Sequence, residues 1–555
     1  MTPMSTTGLV VVVLAATVAL LAPPSMASVT TLWPQPQNVR SGTDSGVTLA
    51  KESFKMVAAP GCVSSALLSG AMERYMDIVF DFGAGGAAAV GAEAPGSDFS
   101  TLSVLEVCVA SSDESLGLET DETYKLEIDG SATASLQAES VYGAMRGLET
   151  FAQLVEYGYT NDSYAIAATP ITIGDSPAYP WRGLLVDTAR HYMPADFLLH
   201  VLDAMAANKL NVLHWHIVDA QSFGFVVAEY PELSKYGAWH PTAIFTQAEI
   251  AAVVAHGKSL GIRVVPEFDG PGHAAAWGAA PDLFDVVAHC PAYEHNINNI
   301  PLNPASNVTF DVLAAVYQAA AKVFTDDFLH IGGDEVVQGC WTDDPTIAAW
   351  MREHNLNTIQ VYQLFENAMH AIARTPAVNK SVVVWEEVFD NALHIPMNTI
   401  VEVWKSASVL KDVLGAGYRG LLAAPFYLDK QIPGLGQGEN VPTTSYEWVD
   451  TWKSFYGVDM TANLTSAEAK LLLGGEGAMW AEQVMDTNFD SRVWPRNSAV
   501  AERLWSSPLV NDPVAATPRL NAQSCRMQRR GIMCGPVAPS FCLLPSDVNR
   551  HPLSA

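Results

Sequence analysis

The chain has 555 residues, 49% of them apolar and 16% charged, which marks a globular protein long enough for two or three domains. Its 59 acidic residues outweigh 30 basic ones, for a formal net charge of −29. That balance excludes nucleic acid or an anionic membrane as the main partner, since both require a basic face.

Residues 1–27 read as a signal peptide: the apolar run "GLVVVVLAATVALLA" leads into "PPSMAS", with a small-x-small cleavage site after Ala27. No Lys or Arg precedes the run, so a retained anchor is the alternative; nothing later reads as a membrane span. Asn161, Asn307, Asn379 and Asn463 each open an N-x-S/T sequon, with Asn307 in a loop-like stretch ahead of a helix. The seven cysteines show no C-x-x-C and no Cys/His cluster, so disulfides are expected, with one thiol left over.

Residues 28–178 mix short β-rich pieces ("LEVCVA", "YKLEI") with a helical stretch, "SVYGAMRGLETFAQLVE", whose Val141, Met145, Leu148 and Phe151 fall on one stripe. This predicts a small α/β domain, closed by the proline-punctuated "GDSPAYPWRG". From 179 to 545 short apolar runs alternate with helix-length segments, eight runs in all: "WRGLLVDTAR", "LNVLHWHIVD", "IRVVPEFD", "DFLHIGGDE", "SVVVWEEV", "TIVEVW", "RGLLAAP" and "KLLLGGEGAMW". Strand–helix–strand at this spacing means parallel pairing, and eight units predict a (β/α)₈ barrel.

In such a barrel the active site lies at the C-terminal strand ends. Those ends carry Asp187, Arg190, Asp219, Glu267, Asp269, Asp334, Glu335, Trp385, Trp404, Tyr427, Trp480 and Glu482. Carboxylates and an arginine among aromatics suit a sugar, which offers apolar C–H faces and a rim of hydroxyls. His214 and His216 form an H-x-H that binds metal in other barrels. No histidines at strand ends five and six complete such a set, so both read as hydrogen-bonded barrel residues.

With these motifs assembled, the chain resembles the β-N-acetylhexosaminidases of glycoside hydrolase family 20, most of all the eukaryotic lysosomal or secreted kind. "RGLLVDTARHY", "NKLNVLHWHIVD", "EFDGPGH", "HIGGDEV", "VVWEEVFD", "GGEGAMW" and "WPRNSAVAERLW" occur in the family's order. The resemblance implies exo-cleavage of terminal β-linked N-acetylhexosamine, with retention, through an oxazolinium formed by the substrate's own acetamido group. It implies Glu335 as acid/base, Asp334 as the acetamido-orienting carboxylate and Tyr427 as the acetamido-oxygen donor. Arg190, Asp219 and Glu482 are similar to hydroxyl-gripping residues, and Trp385, Trp404 and Trp480 to the aromatic box. His273 and Asp269 resemble a supporting pair, and Asp429 a residue at the sugar's 6-position. The implied disulfides are Cys62–Cys108, Cys290–Cys340 and Cys525–Cys542, leaving Cys534. Ala220 departs from the family, whose animal members carry a second acid there. No cofactor or metal is implied. The expected partners are N-acetylhexosamine-terminated glycans, without nucleic acid or, after signal removal, membrane. A homodimer is the candidate assembly, and the lysosome, vacuole or extracellular space the destination.

Overall fold

The computed structural model describes residues 29–43, 46–82, 99–158, 163–293, 300–429 and 451–548. The predicted signal peptide and the Asn161 sequon lie outside the described residues. Among those described, no helix is long and apolar enough to cross a membrane.

Eight parallel strands close into the barrel: Trp181–Asp187, Val212–Asp219, Arg263–Phe268, Phe328–His330, Ser381–Trp385, Ile400–Val403, Arg419–Leu422 and Leu472–Met479. The first strand pairs with both the second and the eighth, which shuts the ring. Every residue of the first, second and eighth strands is buried, as expected of strands covered on both faces. The predicted helices appear at Ala195–Ala206, Gln247–Ser259 and Asn307–Val323. Asn307 itself corrects the sequence reading. It is the first residue of its helix, because Ser306 already holds the extended N-cap conformation and leaves no loop between. Asn307, Asn379 and Asn463 are all exposed.

The N-terminal part builds a six-stranded mixed sheet with helices Ala66–Val79 and Val141–Leu154. The sequence shows one apolar stripe on Val141–Leu154, yet all its residues are buried. Its polar side faces the barrel and the C-terminal helix: Arg146 bonds Glu122 at 2.8 Å and the Gly261 carbonyl at 2.7 Å, and Glu149 pairs with Arg530 at 2.9 Å. Long-range partners let a polar face be buried without loss. Disulfides join Cys62 to Cys108, Cys290 to Cys340 and Cys525 to Cys542, and burial pushes the Cys534 thiol up to about 12.

One core acid costs stability. Glu366, on helix Thr358–Ala373, is fully buried, and burial pushes its carboxyl up to about 8. The unfolded chain holds this proton only below the ordinary carboxylate range near 4.5. Stability is therefore unaffected below that pH and falls as pH rises towards 8. At pH 7 the penalty is about 3 kcal/mol. Glu366→Gln should raise Tm at pH 7 and leave it unchanged at pH 4; equal shifts at both would contradict this origin.

Candidate active site

The fourth strand stops at His330, and the chain turns through Gly332 and Gly333, both at positive φ (72° and 105°). A Cβ on Gly332 would lie 1.6 Å from Asp269 Oδ1, so only glycine fits. The turn delivers Asp334, buried, and Glu335, whose side chain is 46% exposed and whose φ of 49° is rare outside glycine. His273, also left-handed at φ 52°, places Nε2 at 3.5 Å from each of the two carboxylates.

A chain of ionisable groups leads away from them. His273 Nδ1 lies 3.1 Å from Asp219 Oδ1, and Asp219 Oδ2 meets His216 Nε2 at 2.7 Å and Arg190 at 2.8 Å. His216 Nδ1 continues to Glu267 Oε2 at 2.5 Å. Burial opposes protonation of His273, but Asp219, Asp334 and Asp269 hold it well above the ordinary histidine value. Burial would raise Asp219; His273 and Arg190 instead hold it well below the carboxylate range. Burial and Asp334 push the Asp269 carboxyl well up, and burial also raises Asp334, with His273 opposing.

The aromatic residues pack together at the ends of the neighbouring strands. Trp385 and Trp480 lie 6.0 Å apart, and Trp404 stacks on Tyr427 at 6.0 Å. Trp385 donates its indole N–H to Glu267 at 2.7 Å and Trp404 to Glu387 at 2.8 Å, so each ring is fixed by a carboxylate. Arg190 lies 5.0 Å over the Trp480 ring, with Glu482 at 3.9 Å on the open side. Asp429 follows two residues after Tyr427, half-buried. His214 joins Glu476 at 2.7 Å, so the H-x-H pair is hydrogen-bonded within the barrel. Among the described residues three sets of acids and histidines lie close enough to hold an ion; in His214–Glu267–His330 both histidines already meet Glu267, at 3.1 and 3.2 Å.

The paired-acid turn, Arg190 and the three tryptophans thus lie together around the C-terminal ends of the barrel strands. Residues 179–508 match the catalytic-domain model of glycosyl hydrolase family 20, and residues 32–154 match the model described as beta-acetyl hexosaminidase like. The chain belongs to glycosyl hydrolase family 20, as a β-N-acetylhexosaminidase of eukaryotic type. It is 42% identical to beta-hexosaminidase subunit A1 of Dictyostelium discoideum, over 93% of this chain and 91% of that one. It is 36% identical to the human beta-hexosaminidase subunit beta, over 92% and 89%. Among solved structures it resembles the Flavobacterium johnsoniae chitobiase, with a TM-score of 0.74 and 28% identity over 90% of this chain and 73% of that one.

The site also contains contacts that the sequence did not show, and two residues, Gln221 and Glu387, that it did not single out. Asp187 accepts the Arg190 guanidinium at 3.0 Å and the Ala481 N–H at 3.0 Å, tying the first strand end to the eighth. Gln221 accepts from Arg190 Nε at 3.0 Å. Glu387 fixes Trp404; burial and Asp334 push its carboxyl up to about 7. The signal for Glu387 was present in "WEEV", where two acids follow the strand-end tryptophan.

Proposed function

We propose that the enzyme cleaves terminal non-reducing β-linked GlcNAc or GalNAc with retention, the substrate's acetamido oxygen attacking C1 to form an oxazolinium ion. The observation that carries this is the division of labour at the turn. The Glu335 side chain is 46% exposed, while Asp334 is buried and its Oδ1 accepts no hydrogen bond from the described residues. An unsatisfied buried acceptor is costly unless substrate supplies the donor, and the acetamido N–H is that donor. Burial and Asp334 push the Asp269 carboxyl well up, and a hydrogen bond from Asp269 opposes the rise that burial gives Asp334. Glu335 protonates the leaving oxygen and then activates water; protonated His273 beside both acids steadies the charge. Tyr427 donates to the acetamido oxygen. Trp385, Trp404 and Trp480 enclose the methyl and the ring face, and Arg190 and Glu482 grip the hydroxyls; Asp219, placed with them by the sequence, is fully buried with both oxygens engaged and instead holds Arg190 and His273 in place.

Purified protein should cleave a chromogenic β-N-acetylglucosaminide. A thiazoline mimic of the cyclised intermediate should block cleavage and EDTA should not; loss with EDTA would favour a metal-dependent hydrolase, and tight binding without turnover a sugar-binding protein. The same reading takes the chain through the secretory route to the lysosome, vacuole or exterior, as a homodimer. Acid-optimal stability and sedimentation test those two points.

Asp429 bears on substrate charge. A 6-sulfate placed about 4 Å from this carboxylate would meet a repulsion of about 4 kcal/mol at an effective dielectric near 20. Arg496, bonded to the Leu428 carbonyl at 2.5 Å and drawn to Asp429, offsets part of it. The expected result is at least about tenfold higher kcat/KM for a neutral aryl glycoside than for its 6-sulfate. Asp429→Asn should narrow the gap, and equal values in the unmodified enzyme would refute the assignment.

A further inference from the structure

Helix Thr358–Ala373 packs behind the catalytic turn and spends its buried face on polar groups. Tyr362, Glu366 and His370 stand at i, i+4 and i+8, all buried. Glu366 Oε2 lies 3.6 Å from His370 Nε2, yet neither carboxylate oxygen, neither ring nitrogen, nor the hydroxyl of the neighbouring Tyr317 makes a hydrogen bond among the described residues. Stability alone would favour apolar residues on this stripe.

The third member explains its position. The Tyr362 phenol donates to the Gly333 carbonyl. On the other side of the same residue, the Gly333 N–H donates to Asp269 Oδ1 at 3.1 Å. Gly333 sits at φ 105°, a region glycine enters freely, so nothing intrinsic to its backbone fixes it. Its space is bounded by Val388, Glu366 and Tyr362: a Cβ built there would meet Val388 Cγ2 at 2.5 Å, Glu366 Oε1 at 3.5 Å and the Tyr362 hydroxyl at 3.6 Å. The carbonyl that Tyr362 holds belongs to the peptide whose nitrogen is that of Asp334. Rotation of that peptide swings the Asp334 carboxylate.

We propose that Tyr362 is a positioning residue for Asp334, pinning the Gly333–Asp334 peptide so that the carboxylate meets the acetamido group. This rests on the assignment of Asp334 as the acetamido-orienting group. A small misplacement of a reacting group is expensive in rate.

Tyr362→Phe keeps the packed ring and removes only the donor. The expected result is a fall in kcat of roughly 10- to 100-fold with KM changed by less than about threefold, and weaker thiazoline binding by a similar factor. In combination with Asp334→Asn the Phe change should cost almost nothing more, because the group it positions is already lost. Tyr362→Met, which also lacks the donor, receives the same measurements should the Phe variant fold poorly. A lower Tm with unchanged kcat would show a structural role only and overturn the proposal. Full additivity with Asp334→Asn would overturn it as well. If Asp334→Asn itself left kcat unchanged, the underlying assignment would fail instead.

Discussion

Glu335→Gln is expected to lower kcat by roughly 10² to 10⁴ on substrates with poor leaving groups, the range general acid catalysis commonly supplies. The amide keeps the shape of the side chain and its exposed place beside His273, 3.5 Å away, but has no proton to give. An activated aryl glycoside needs little protonation in the first step, so its loss should be smaller. The ratio of the two losses is the decisive quantity. Equal factors for alkyl and activated aryl glycosides would remove the acid role from Glu335.

Asp334→Asn should damage the other half of the chemistry. On the proposed mechanism, positive charge grows on the acetamido nitrogen as its oxygen attacks C1, and the buried Asp334 is the carboxylate assigned to face it. Because that charge belongs mainly to the transition state, kcat should fall steeply while KM changes less. An unchanged kcat would sink the assignment.

Much of this architecture is local in the sequence. Each barrel strand is a short apolar run ending in its functional residues, so "HIGGDEV" or "LHWHIVD" carries strand, turn and chemistry within a few positions. Why the turn needs glycine is visible only in three dimensions: a side chain on Gly332 would collide with Asp269. What stayed hidden depends on distant contacts. The full burial of Val141–Leu154 follows from its packing against both a sheet and a barrel, which a single apolar stripe cannot announce. Tyr362 reaches the site from a helix 29 residues beyond Gly333, with no strand end to mark it. Asp187 was visible as a strand-end acid, but its clamp on Arg190 and Ala481 needs the ring closure to the eighth strand.

The central claim is that the substrate supplies its own nucleophile. Measuring kcat/KM across aryl glycosides bearing N-acetyl, N-fluoroacetyl, N-difluoroacetyl and N-trifluoroacetyl groups tests it most directly. Each fluorine withdraws electron density from the attacking carbonyl oxygen while changing the bound shape little. A steep, monotonic fall along the series is predicted; a flat series would place the nucleophile on the protein and contradict the account.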